Sequence, residues 1–262
     1  MLHCVLMNHS KKKPLHKKRP NAKNAVVYED PTFPMRINKY LAWKKHSTRR
    51  GADEMIEKGQ VLLNGKRAAL GDKVTETDVI EVRFRVKPKP YVYFAYHKPR
   101  GIVTHSPVRG ERDIKSQVKM SDVFPVGRLD KDSSGLVILT NDGRITDRLL
   151  SPRYDHEKEY LVTTKNPLRS SFQAKMEAGV QIEDEMTAPC RVKILDDRTF
   201  QVILTEGKKH QIRRMCVALF QEVDTLERLR VMNIELGALA PNSHRKITGD
   251  ELKKFLELLD LA

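Results

Sequence analysis

Three short segments concentrate the groups in this chain that could do chemistry. Gly127-Arg128-Leu129-Asp130 opens the run VGRLDKDSSGLVILTND, from Val126 to Asp142. Asp155 to Tyr160, DHEKEY, precedes the apolar LVTT, and Glu206 to Met215 reads EGKKHQIRRM. Together they hold a carboxylate, a tyrosine and a cluster of cations. Those are the parts needed to extract a nucleobase, stack on it and act at its glycosidic carbon without a metal. A charged, flexible loop running straight into an uninterrupted apolar strand suits the task of holding one carboxylate, Asp130, at the mouth of a site. Each segment alone also fits a plain structural role. Asp130 could close a turn, Arg213 and Arg214 could be a solvated helix face, and Tyr160 an ordinary strand aromatic.

Other chemistries lack their signatures. The chain has no G-x-x-x-x-G-K-[ST], no G-x-G-x-x-G, no H-E-x-x-H and no paired-cysteine spacing, which argues against common forms of ATP hydrolysis, dinucleotide redox chemistry and zinc hydrolysis. Neither a metal nor a cofactor is expected. Cys4, Cys190 and Cys216 are odd in number and far apart, which argues against a disulfide framework and for a reducing cytoplasm. No apolar run nears the ~20 residues that span a bilayer. MLHCVLMNHS has no apolar core before its lysines, so neither a signal peptide nor a membrane role is expected.

The net charge of +15 over 262 residues is unevenly placed. Residues 1–34 and 35–85 each carry an excess of five cations, as does the much longer 86–262. Two thirds of the excess therefore sits in the first third of the chain, the footprint of a polyanion binder, most often of nucleic acid.

The elements that must position the three segments follow from periodicity. Residues 1–34 read as a basic, disordered arm, with SKKKPLHKKRPNAK following phosphates or serving as a solubilising tail. From Met35, MRINKYLAWKKHS and STRRGADEMIEKG read as two helices, the second capped by Ser47 or Thr48 and stopped at Gly59. VLLNGKRA is a hairpin turning at Asn64-Gly65, and KVTETDVIEV a further strand. Residues 86–91 are a Lys/Pro linker. Beyond it, YVYFAYHK, LVILTN, KEYLVTT, CRVKILDD, TFQVILTEG and ERLRVMNIEL read as strands. ITDRLLS, PLRSSFQAKMEAG, KKHQIRRMCVALF and DELKKFLELL read as helices. Strands grouped with segregated helices give an α+β fold, a mixed and largely antiparallel sheet flanked by helices.

Residues 35–85 resemble the αL RNA-binding motif first seen in a small-subunit ribosomal protein, through RINKYLA, STRRGADEMIEKGQVLLNGK and GDKVTETDVIEV. That resemblance implies that Arg49, Arg50 and Lys66 touch RNA backbone. From Met35 onward the chain resembles the pseudouridine synthases of the RsuA/RluB/RluE/RluF branch, nearest the RluF type. The match rests on HKPRGIVT, GRLDKDSSGLVILTNDG, KEYLV and GKKHQIRRM in order, in a catalytic domain over 92–262. The resemblance implies the pseudouridine synthase fold and cofactor-free isomerisation of uridine, most readily in 23S rRNA, with 16S rRNA or a tRNA anticodon loop as alternatives. It makes Asp130 the catalytic carboxylate. Tyr160 would stack on the base, Arg213 would pair with Asp130, Arg128 would hold the base out of its helix, and Lys158 would lie near the site. Lys209 and His210 would contact RNA. His97 replaces the branch's usual asparagine, and His210 its usual arginine. The chain closes soon after LELLDLA, without the long basic tail of the RluF type. The implied partners are RNA and ribosome assembly intermediates, for a monomer. A non-catalytic RNA-binding assembly factor on this scaffold is the rival class, and a hydrolase using Asp130 with Asp132 a distant third.

Overall fold

The computed structural model describes residues 2–6, 32–44, 46–84, 90–120 and 122–262. The chain divides into two compact units, Met1–Pro90 and Tyr91–Ala262.

In the first unit, β1 (Leu2–Leu6) and β2 (Met35–Arg36) precede α1 (Ile37–Trp43) and α2 (Arg49–Glu57). Ile37, Tyr40 and Leu41 recur at helical spacing and bury the inner face of α1. The α2 helix begins at Thr48, whose hydroxyl accepts the Gly51 N–H at 3.0 Å. Strands β3 (Val61–Leu63) and β4 (Lys66–Arg67) meet at Asn64 and Gly65, both with positive φ as a two-residue type I′ turn requires. The run expected as one strand, KVTETDVIEV, is two: β5 (Lys73–Val74) and β6 (Ile80–Phe84). Asp78 makes the break. Its carboxylate accepts from Asn64, from the Thr75 N–H and from the Thr75 hydroxyl at 2.6–2.9 Å, and these bonds, led by Asn64, hold its pKa below the usual carboxylate range.

A second correction concerns the arm. Leu2–Leu6, inside the stretch expected to lack structure, is a strand that pairs antiparallel with β6. Five residues without Lys or Pro precede the basic run and can extend a sheet edge. Residues 7–31 and 85–89, most of the expected arm and linker, lie outside the described residues.

The second unit is one large mixed sheet with helices against it. Its elements are β7 (Tyr93–Lys98), α3 (Ile114–Gln117), β8 (Phe124–Val126), β9 (Ser134–Thr140), α4 (Ile145–Leu150), β10 (Lys158–Thr164), α5 (Phe172–Glu177), β11 (Gln181–Ile182), β12 (Glu185–Met186), β13 (Arg191–Ile194), β14 (Thr199–Leu204), α6 (Gln211–Ala218), β15 (Val223–Val231), β16 (Ile234–Glu235), β17 (His244–Lys246) and α7 (Gly249–Leu258). The strand order is β13-β14-β10-β15-β9-β7-β17, with β16 beside β15 and β8 beside β9. Every pair in it is antiparallel except β9 with β15. Two apolar clusters clamp the sheet. Phe172 and Met176 of α5 and Ile212, Met215 and Cys216 of α6 pack on Val162, Phe200 and Val202. Ile145 and Leu149 of α4 and Phe255 of α7 pack on Ala95, Leu136 and Ile138.

Candidate active site

The parallel contact between β9 and β15 builds the site. It pairs Glu227 with Ser134 and Arg228 with Gly135. Gly135 is required there. Its φ is +108, and a Cβ would lie 2.4 Å from the Arg228 backbone nitrogen and oxygen. The register continues in both directions. Gly135 faces Lys98 on β7, and Arg228 faces Tyr160 on β10. With strands about 4.8 Å apart, Tyr160, Arg228, Gly135 and Lys98 form one row about 14 Å long.

Asp130 sits in the loop that leads into this row, and its backbone is fixed on both sides. On the amino side, the Thr104 hydroxyl donates to the Leu129 carbonyl at 2.7 Å and accepts the Leu129 N–H at 3.0 Å. Leu129 itself is buried among Tyr96, Val137 and Leu139, a cluster that Tyr160 also touches. On the carboxyl side, the Gly101 N–H donates to the Lys131 carbonyl at 2.8 Å, and the Ser133 N–H to the Asp130 carbonyl at 3.1 Å. What remains free is the carboxylate, with 37% of the Asp130 side chain exposed.

Beneath the loop lies a lysine that sequence reasoning missed. Lys98 is fully buried. Its ammonium donates to the carbonyls of Ile102 at 2.7 Å, Pro99 at 3.0 Å and, more weakly, Lys131 at 3.4 Å. Burial pushes its pKa down to about 8, against the pull of the Asp130 and Asp132 carboxylates, and Arg228 adds to the fall. Arg228 is buried as well, its Nε donating to the Leu136 carbonyl at 2.7 Å. Lys158 is held below the usual lysine range by burial first and Arg228 second. It donates to the carbonyls of His156 and Thr205. Two buried cations, Lys98 and Arg228, therefore lie in the row, the half-buried Lys158 lies beside it, and the partly exposed Asp130 carboxylate lies on the loop that leads into it.

The remaining expected residues fall as follows. Tyr160 is half-buried, and its hydroxyl has no hydrogen-bond partner among the described residues. Arg128 is exposed on the Asp130 loop and makes no ion pair or hydrogen bond among the described residues. Arg213 reaches the same loop, but it donates to the Asp132 carbonyl at 3.1 Å. No ion pair joins it to Asp130 among the described residues. His210 takes that place, with Nε2 3.5 Å from Asp130 Oδ1. It precedes α6 and meets the loop at Asp130, whereas Arg213, one turn further along, meets it at Asp132. Lys209 is exposed beside His210. His97 bridges the Leu239 carbonyl and the Glu227 carboxylate at 2.7 and 3.1 Å, and contacts neither Asp130 nor its loop. In the first unit, Arg49 and Arg50 at the start of α2 and Lys66 on the hairpin are exposed, with no ion pair among the described residues. Those residues contain no group of three or more His, Cys, Asp or Glu able to hold a metal. No helix among them is long and apolar enough to cross a membrane.

Such a site presents one carboxylate on a fixed loop, an aromatic whose hydroxyl has no partner among the described residues, and cations nearby. Comparisons with known proteins place the chain that carries it in a family. Residues 92–218 match the family model for RNA pseudouridylate synthase, and residues 35–80 match the S4 domain. The chain is 43% identical over 236 residues to the dual-specificity RNA pseudouridine synthase RluF of Escherichia coli (strain K12), covering 88% of this chain and 81% of that protein. The chain belongs to the RNA pseudouridine synthase family. It is also 34% identical to the ribosomal large subunit pseudouridine synthase B of Bacillus subtilis (strain 168), over 86% of this chain and 97% of that one. A pseudouridylate synthase of known crystal structure superimposes with a TM-score of 0.64 at 29% identity, covering 86% of this chain and 99% of the other. The family's reaction is the isomerisation of uridine to pseudouridine in RNA. The N1–C1′ bond breaks, the base turns, a C5–C1′ bond forms, and the proton at C5 is released.

Proposed function

We propose that this RNA pseudouridine synthase isomerises a uridine of 23S ribosomal RNA, with Asp130 as its catalytic carboxylate. The carrying observation is the loop geometry. Asp130 is fixed at Leu129 by Thr104 and at Lys131 by Gly101, while its carboxylate stays open to a substrate. An ionised carboxylate so held attacks C1′ or takes a proton from the ribose. Tyr160 stacks on the base, with a hydroxyl that no group engages among the described residues. Arg128, on the same loop and without an ion pair among the described residues, holds the base out of its helix, and Arg213 and Lys158 complete the substrate surround. Lys209 and His210 beside Asp130, and Arg49, Arg50 and Lys66 in the first unit, contact RNA. The match of residues 35–80 to the S4 domain supports the latter. The large-subunit target is supported by the relative from B. subtilis that carries that substrate in its name; the relatives named dual-specificity support a second RNA target, for which a tRNA anticodon loop is the alternative. The reading extends to a cytoplasmic monomer acting on free rRNA or an assembly intermediate, and the charge of +15 supports polyanion capture over self-association.

The test uses transcripts of 23S rRNA, 16S rRNA and tRNAs labelled with tritium at uridine C5, each incubated with the purified protein. Pseudouridine formation releases the label. Release from the 23S transcript in stoichiometric amount supports the assignment. Release from 16S or tRNA alone moves the target, and release from none contradicts the reading.

A further inference from the structure

The Asp130 carboxylate has one charged partner at ion-pair distance among the described residues, and it is a histidine. His210 Nε2 stands 3.5 Å from Asp130 Oδ1, with the two side chains 50% and 37% exposed. The backbone that carries the ring is fixed. His210 lies in the left-handed region at φ 53, and its carbonyl accepts the Arg214 N–H at 2.9 Å inside the first turn of α6. Of the other cations nearby, Arg128 on the loop and Lys209 beside the ring are exposed and make no ion pair among the described residues, and three are committed elsewhere. On the same helix, Arg213 donates to the Asp132 carbonyl, and Arg214 pairs with Glu183 of the β11–β12 hairpin at 2.8 Å. Preceding it, Lys208 pairs with Glu185 at 2.9 Å. From the loop side, His210 faces Asp130, with Asp132 beyond it. Its far side lines a cavity of about 350 Å³ together with Arg213, Arg214 and Glu183, so the ring is reachable by solvent and protons.

We infer that His210 is a positioning residue: its imidazolium form aims the Asp130 carboxylate, and the rate of isomerisation follows its protonation. The argument rests on the reading of Asp130 as the catalytic group. Histidine is the side chain whose ordinary range spans a charge change between about pH 5 and 8. An arginine at this place would supply a permanent charge. A histidine supplies charge to the carboxylate only while its ring is protonated. Because the ring acts through the carboxylate, the effect belongs in kcat. A histidine that only touched RNA phosphate would alter KM and the salt dependence instead.

The experiment measures tritium release from C5-labelled 23S rRNA transcript by wild type, His210→Arg and His210→Gln between about pH 5.5 and 9. Wild-type kcat is expected to fall about tenfold as pH rises across this interval, by more than any rise in KM that loss of an RNA contact brings. His210→Arg should lack that fall, and His210→Gln should stay near the wild-type alkaline level at every pH. Titration of Lys98 near pH 8 is common to all three proteins, so the difference between their profiles isolates His210. Superimposable kcat profiles for wild type and His210→Arg overturn the inference, as does an effect confined to KM. An Asp130→Asn control keeps the two claims apart. Full activity in that variant sinks the underlying reading of Asp130, whatever the histidine variants do.

Discussion

Replacing Lys98 by methionine separates two roles that the structure gives one side chain. Methionine is of similar length and apolar, so the buried space stays filled. The ammonium bonds to Ile102, Pro99 and Lys131 disappear, at about 1.5–3 kcal/mol for each good bond to a charged donor. Against this stands the cost of burying a charge. A fall in pKa from 10.5 to about 8 corresponds to about 3 kcal/mol favouring the neutral amine in the fold. Near neutral pH the second effect offsets much of the first, so a net loss of about 0–3 kcal/mol is expected from the two good bonds. The pH dependence does not cancel. Because the folded pKa is depressed, the unfolded chain holds the proton more tightly between pH 8 and 10.5. Wild-type stability relative to the variant therefore rises as pH increases through that window, by about 3 kcal/mol in all, and the gain is lost as pH falls through 8. Urea denaturation of both proteins at about pH 7.5, 9 and 10 measures it. Stability curves that run parallel over this range would refute the argument. Activity gives the second readout. Freeing the Lys131 carbonyl loosens the Asp130 loop, and kcat should fall about tenfold or more while RNA affinity holds.

Three further substitutions test other parts of the site. Thr104→Val leaves the buried Leu129 N–H and carbonyl without partners and should cost about 2 kcal/mol in chemical denaturation, with a matching loss of kcat. Gly135→Ala forces a Cβ to within 2.4 Å of the Arg228 backbone at a φ of +108, and a loss of at least about 3 kcal/mol, or failure to fold, is expected by circular dichroism. Tyr160→Phe removes a hydroxyl that has no hydrogen-bond partner among the described residues. Its melting temperature should match wild type while its kcat drops about tenfold, and an unchanged kcat would limit Tyr160 to stacking.

The site was legible where its chemistry is local. GRLD, KEY and HQIRR each announce themselves in one short segment: GRLD forms the Asp130 loop, His210 and Arg213 of HQIRR reach it, and Tyr160 of KEY packs on the cluster that buries Leu129. The groups that hold Asp130 in place were not legible, because they act across distance. Thr104 reaches Leu129 over 25 positions, and Arg228 reaches Leu136 over 92. Lys98 did leave a signal. It closes an apolar run, YVYFAYHK, in which every residue of β7 is buried, and a cation ending such a run must find acceptors inside the protein. The exchange of Arg213 for His210 at the carboxylate is a matter of one helical turn, which a motif cannot specify. In the fold, the long strands followed from alternation and apolar runs. Two-residue hairpin strands such as β11 and β12, and the β17 edge, carry too few residues for a period to show.

The most direct test of Asp130 as the catalytic carboxylate is made in cells. Carbodiimide treatment and primer extension map pseudouridines in total rRNA and tRNA from cells carrying the wild-type gene, a deletion, and Asp130→Asn. Loss of the same single mark in the deletion and in the variant, with the variant protein folded and present, is the predicted result. A mark that disappears in the deletion but persists in Asp130→Asn would contradict it.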